Sequence, residues 1–316
     1  VTQNQPPGAP RARIPGPSQP PPPYPRPHAG LWRRCLAVGL ALWALTATVT
    51  YATRDTALLP TLILLGSFLV PVAFVLWAYQ RHGRDLGVHL ILGCFLTGGT
   101  LGVVGASMTE RHLLHPSWGM YVGAGLIEEA GKLAALVFML HRHSRVRGLR
   151  AGLVLGASVG FGFAALESAG YAFNATVSLQ GIDLRALLET EILRGVLTPF
   201  GHGLWTAVTG AALLACRRPD GRFRPASPAV AAWAGAALLH ALWDATHGIA
   251  LWLVARLTAR GLDRTLFTPG HLPWSTDEQR HLFTLFSVGG LVLVALAGIA
   301  WVRSLARREP AWKNTP

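Results

Sequence analysis

The sequence predicts an all-α protein, a polytopic membrane helix bundle with about eight transmembrane helices and both termini cytoplasmic. Three observations predict it. Hydrophobic residues make up 51% of the 316-residue chain and charged residues only 14%, well below the roughly 25% of soluble domains. Apolar runs recur along most of its length, each near the ~20 residues that a helix needs to cross the hydrocarbon core. Basic residues gather in alternate short loops between those runs, the bias that sets the orientation of membrane proteins.

Residues 1–30 read as a disordered, proline-rich cytoplasmic tail. They hold 11 of the 22 prolines, four of them consecutive at Pro20, Pro21, Pro22 and Pro23, with too little apolar surface to fold. So long and proline-rich a segment does not suit the basic start of a signal peptide, and the first apolar run is read as a retained anchor. Eight apolar segments follow, at about 36–52, 58–79, 87–107, 119–140, 150–174, 194–216, 229–254 and 283–302. Arg33, Arg34, Arg81, Arg84, Arg142, Arg145, Arg147 and Arg150 mark one side, joined by Arg217, Arg218, Arg222, Arg224, Arg303, Arg307 and Arg308. The other side has Arg54, Arg111 and Arg185 in short loops and a longer loop at 255–282. The richer side should face the cytoplasm. In the longer loop Trp274 suits the interfacial aromatic belt, and Asp277 and Glu278 suit a helix start. Residues 31–304 thus form the membrane domain, and 305–316 a short basic cytoplasmic tail.

A net charge of +13 could suit a polyanion, but topology accounts for most of it, so no nucleic-acid partner is expected. Cys35, Cys94 and Cys216 are scattered, with no Cys-x-x-Cys pair, in or near the cytoplasmic half. They read as packing residues rather than disulfide partners.

An ionisable group inside hydrocarbon costs roughly 2.5–3.5 kcal/mol even on insertion scales. Its position is therefore informative. Segments four to seven carry Glu128, Glu129, Lys132, Glu167, His202, His240, Asp244 and His247, whereas the other segments have no acidic residue in their interiors. Counted along ideal helices, Glu128 lies roughly 13 Å below the outer end of its segment, Glu167 roughly 10 Å, His202 roughly 12 Å and Asp244 roughly 15 Å. Four consecutive helices thus bring polar groups to one layer in the outer half of the bilayer.

Spacing adds to this. Lys132 stands three and four residues beyond Glu129 and Glu128, so it reaches either carboxylate. Two adjacent carboxylates sharing one lysine are split in role, one prepared as acid or base. His240, Asp244 and His247 share one helical face. Four carboxylates against one lysine is not a tenable charge in lipid, so protons, a charged histidine, water or a metal must compensate. Plainer readings stand beside these. Lys132 serves equally as a structural counter-ion, and His247 as a structural or solvated group near the outer interface. Trp205 and Trp243 read as packing or belt aromatics, and Gly156, Gly160 and Gly162 as points of close helix approach. A proton- or cation-coupled transporter would use the same residue types, yet no duplication of these motifs relates the two halves. A di-haem carrier ligated by His202 and His240 would leave the carboxylates superfluous.

The motifs have a familiar order. Glu128-Glu129-Ala-Gly-Lys132 reads E-E-x-x-K, Phe163-Ala-Ala-Leu-Glu167 reads F-x-x-x-E, His202-Gly-Leu-Trp follows, and His240-Ala-Leu-Trp-Asp244 reads H-x-x-x-D. Across about 119–250 this resembles the PrsW family of intramembrane proteases, distantly related to the CAAX-processing glutamic endopeptidases of the CPBP group. The resemblance implies a bacterial plasma-membrane enzyme that cuts membrane-anchored, single-span proteins, in known members an anti-sigma factor. It implies Glu128 as the base that activates water, with Glu129 assisting or exchanging roles. His240 and Asp244 would orient water and stabilise the oxyanion. An ionised Asp244 cannot donate a hydrogen bond, which leaves that task to His240. Asp244 stands where the related enzymes often have asparagine, and Glu167 where some have histidine. His202 completes the catalytic set. No cofactor is expected on this reading. The competing mechanism is a zinc protease with Glu, His and Asp ligands from three helices, although no H-E-x-x-H motif is present.

Overall fold

A computed structural model describes residues 30–115, 117, 119–178, 181–258 and 276–308. The expected proline-rich tail, most of the 255–282 loop with Trp274, and the last residues of the chain lie outside these. Ten helices account for nearly all of the described chain: α1 Leu31–Thr53, α2 Leu59–Ala78, α3 Val88–Thr97, α4 Val103–Leu113, α5 Met120–Leu140, α6 Leu149–Thr176, α7 Leu184–Leu197, α8 His202–Ala215, α9 Ser227–Leu257 and α10 Asp277–Arg308. A two-residue antiparallel pair, Val177–Ser178 with Gly181–Ile182, joins α6 to α7. The protein is an all-α polytopic bundle.

Local sequence explains the ends. Asp183 accepts the backbone N–H of Ala186 at 2.9 Å and starts α7, as an N-cap carboxylate should. Prolines stand in the first turns of α2 and α9, where their missing N–H costs nothing. Asp277 and Glu278 open α10 as expected. A π-helical turn at Gly98–Gly102 joins α3 and α4 into one traverse. Its glycines face α6 so closely that a β-carbon on Gly98 would collide with the Val159 backbone, and one on Gly99 would come within 2.8 Å of the Gly162 carbonyl oxygen.

Among the described residues, six traverses are long and apolar enough to cross a membrane: Leu31–Thr53, Thr56–Leu86, Val88–Leu113, Leu149–Thr176, Ser227–Leu257 and Asp277–Arg308. The other two expected segments differ for physical reasons. Segment 119–140 is one helix, α5, but Glu128, Glu129 and Lys132 dilute its apolar character. Segment 194–216 is not one helix. Arg194 ends up on α7, and the chain breaks at a 3-10 turn, Thr198–Phe200, before α8 begins at His202. Pro199 sits in that turn and Gly201 adopts φ −109°, ψ −124°, a non-helical conformation. The depth of His202 is thus set by this break and not by a count along a continuous helix.

The buried α6 is the spine. On α6, β-carbons at Gly152, Gly156 and Gly160 would run into the backbone of α8 at Gly210, Thr206 and His202, and one at Gly162 into Phe95. Small residues thereby replace apolar mass with close backbone approach, the packing mode open to helices in lipid. The main apolar cluster surrounds the same helix, with Ile91, Cys94, Leu136, Leu155, Val159 and Leu214 fully enclosed. All three cysteines are free, and Cys94 is a core residue. At the basic end, buried Arg217 donates to the carbonyls of Leu140, His143, Val146 and Gly221 at 2.7–3.0 Å, tying α5 and α8 to the turn before α6.

Replacing Gly156 with leucine should lower the midpoint of thermal unfolding in detergent and cost roughly 1–3 kcal/mol by overpacking. Gly170→Leu is the matched control, because nothing lies within 4 Å of its β-position, and it should change little. Equal effects of the two would remove the close-approach account.

Candidate active site

Four helices deliver ionisable side chains to one point. On α5, Glu128, Glu129 and Lys132 all lie on the buried face. The Lys132 ammonium has no solvent exposure and donates to Glu129 Oε1 at 2.8 Å, Glu128 Oε2 at 3.2 Å and His202 Nδ1 at 2.8 Å. It also lies 4.0 Å from the ring centroid of Phe163, the aromatic of F-x-x-x-E on α6. Accepting from the lysine at Nδ1 leaves the His202 proton on Nε2, which donates to Glu167 Oε2 at 3.0 Å. His240 on α9 places Nε2 3.6 Å from Glu128 Oε2 and 3.4 Å from Asp244 Oδ2, and Nδ1 3.2 Å from Glu129 Oε1. Trp205 stacks on the His240 ring at 4.9 Å and 28°. Glu128, Glu129, Glu167, His202, His240 and Asp244 therefore belong to one connected cluster, with Lys132 at its centre.

The cluster has an open and a closed side. A cavity of about 550 Å³ is bordered by Glu128, Glu167, Tyr171, Arg194, Trp243 and Asp244. Glu129, Lys132 and His240 lie behind this wall, each 1% exposed or less. Of the two adjacent glutamates, Glu128 borders the cavity and Glu129 is sealed beneath it. The cavity lies toward the end of the bundle that carries the α4–α5 turn, since Leu114, Met120 and Tyr121 also line it. His247 stands exposed at its rim.

Sequence reasoning missed three participants. Arg194 on α7 pairs with Glu167 and donates to Ser168 Oγ at 2.8 Å, so two cations rather than one face the four carboxylates. Its signal was present, because an unexplained negative charge called for a further cation, but Arg194 sat at a segment boundary. Thr206, one turn beyond His202, donates to Glu129 Oε2 at 3.4 Å. Glu110 near the end of α4 borders the cavity, and nothing in its local sequence marks it.

Three of these side chains could hold a metal ion if Lys132 withdrew from Glu128 Oε2 and His202 Nδ1, to which it now donates. One ligand atom each from Glu128, His202 and His240 lie within 4.8 Å of one another, coming from three helices. Each histidine has a carboxylate at the ring nitrogen away from that centre, Glu167 on His202 and Glu129 by His240. Metal-binding histidines commonly carry such a backing group, which fixes ring orientation and tautomer.

A family model described as PrsW family intramembrane metalloprotease matches residues 86–266, more than half of the chain. The matched stretch extends beyond the motif-bearing 119–250 to take in α3 and α4. No curated protein and no solved structure matches.

Lys132→Met should leave Glu129 buried without its cation and destabilise the protein by roughly 3–5 kcal/mol. Adding Glu129→Gln to that variant should recover part of the loss. Denaturant unfolding in micelles measures the cycle, and strictly additive losses would deny the pairing.

Proposed function

The chain belongs to the PrsW family of intramembrane proteases, and we propose that it hydrolyses single-span, membrane-anchored proteins at the cavity bordered by Glu128, Glu167 and Asp244. An anti-sigma factor is the substrate that the family resemblance suggests. The observation that carries this reading is the convergence of Glu128, His202 and His240, each histidine backed by a carboxylate. With the Lys132 ammonium displaced from His202 Nδ1 and Glu128 Oε2, these three residues would hold a zinc-type ion, which when bound supplies Lewis-acid polarisation of a carbonyl and an acidified water.

The chain's own groups do the rest. Glu167 holds the His202 ring through its hydrogen bond, and the Glu129 carboxylate stands 3.2 Å from His240 Nδ1, so that the opposite nitrogens face the centre. Arg194 fixes Glu167 in turn, and Lys132 balances Glu129. Asp244 faces the cavity and takes the proton of the attacking water as the water oxygen bonds to the scissile carbonyl carbon. That proton passes to the amide nitrogen as the C–N bond breaks. The burial of Lys132 and His240 behind the cavity wall excludes water from all but the reacting face. The cavity's place toward the α4–α5 turn supports cleavage in the outer half of the bilayer, given the basic residues clustered at the opposite end.

A metal-free glutamate mechanism has one observation in its favour. The Lys132 ammonium already stands 3.2 Å from Glu128 Oε2 and 2.8 Å from His202 Nδ1, so a positive charge lies at the centre without an ion. Glu128 would then activate water, and His240 would donate to the oxyanion.

Purified full-length protein, incubated with a single-span reporter, tests both. Glu128→Gln and His240→Ala should each slow cleavage by about 10²–10⁴-fold. Metal analysis should find about one equivalent of zinc in the wild type and little in His202→Ala. Cleavage that both variants retain would sink the site assignment, and full activity of metal-depleted enzyme would decide for the glutamate mechanism.

A further inference from the structure

The opposite end of the bundle holds a second constellation. The start of α1, the turns after α2 and the start of α6 enclose a cavity of about 650 Å³. Arg33, Arg81, Arg84 and Arg150 border it. Asp85 is the one carboxylate among the described residues of that lining, and it is paired with Arg150. The lining thus carries four cationic side chains against one anion. Trp32 and Trp77 stand beside them, amphipathic rings of the kind that sit at the headgroup level.

Below this lies an apolar cleft of about 370 Å³, which shares Trp77 and His82 with the basic cavity. Phe74 and Ala78 of α2, Leu153 and Phe161 of α6, Leu204 of α8 and Val302 of α10 line it. Positive-inside topology accounts for arginines at this end of the bundle. It does not account for their gathering around a cavity that adjoins, across Trp77 and His82, a greasy slot between four helices. Both volumes fall in the roughly 300–1,000 Å³ range of ligand sites.

We propose that this composite site binds one anionic glycerophospholipid, its phosphate among Arg33, Arg81 and Arg84 and one acyl chain along the cleft. Arginine forks suit phosphate oxygens, and basic pockets between membrane helices suit anionic headgroups. The far wall of the cleft includes Pro199 and Phe200 of the break that positions His202, and Gly203 just beyond it. The bound chain therefore touches the element that sets one corner of the catalytic cluster, although it binds outside that cluster.

Native mass spectrometry of the full-length protein, delipidated in neutral detergent, tests this. Phosphatidylglycerol and phosphatidylcholine with identical chains are the probes. The wild type should retain one phosphatidylglycerol with a preference on the order of tenfold, as charge attraction from two or three arginines allows. Arg81→Ala with Arg84→Ala should abolish the preference, and the corresponding double lysine variant should keep most of it. Ala78→Trp, which fills the cleft, should weaken retention of both lipids while leaving the arginines in place. Equal retention of the two lipids by the wild type, or an unchanged preference in the double alanine variant, would overturn the site. Displacement of the lipid by soluble glycerol phosphate at comparable concentration would reassign the basic cavity to a free anion and overturn the lipid reading. Circular dichroism and gel filtration of each variant separate lost binding from lost folding.

Discussion

An ammonium group with no access to water lies at the centre of this protein, and the surrounding fold can be read as the means of holding it there. Lys132 is held by two carboxylates, one imidazole and the face of Phe163. In a low-dielectric interior such a group persists only if its partners are fixed in number and place. Those partners come from α5, α6 and α8. His240 of α9 closes the arrangement through both glutamates. The helices must therefore approach closely at one level, and the glycines along α6 are what let them do so.

This requirement links packing to chemistry. A helix lined with leucine would keep α8 too far from α5 for Lys132 to reach His202. With glycines at 152, 156 and 160, the α6 and α8 backbones come into near contact, and His202 falls within reach of both Lys132 and Glu167. The break before α8 adds freedom that a continuous helix lacks, because the ring of His202 projects from a first turn rather than mid-helix. The same geometry serves the two imidazoles, since the groups that stabilise the buried charge also surround His202 and His240.

Acidic residues confined to the interiors of segments four to seven marked the candidate site in the sequence, because charge is rare in lipid unless a partner awaits it. Their i,i+3 and i,i+4 spacings foretold the contacts within α5, and the glycines of α6 foretold close approach. Partners on different helices were less legible. Arg194 was assigned to the start of a span, and only the break after Leu197 shows it on a separate helix beside Glu167. The adjacent pair Glu128 and Glu129 looked interchangeable. A difference of one residue rotates a side chain by about 100° around a helix, and only the neighbours of α5 decide that one glutamate borders the cavity while the other is sealed behind it.

By itself the sequence determined that this is a helical membrane protein, which helices carry the buried charge, and the family to which their motifs point. Those properties follow from composition, from spacing along single helices and from motif order, all of which are local in the chain. Tertiary structure alone decided which carboxylate backs which histidine, where the cavity opens, and that the sixth segment is two helices rather than one. It also decided that arginines from three segments gather above an apolar cleft at the basic end. Each of these depends on contacts between residues far apart in the chain, made by helices whose relative rotation and depth no single segment encodes.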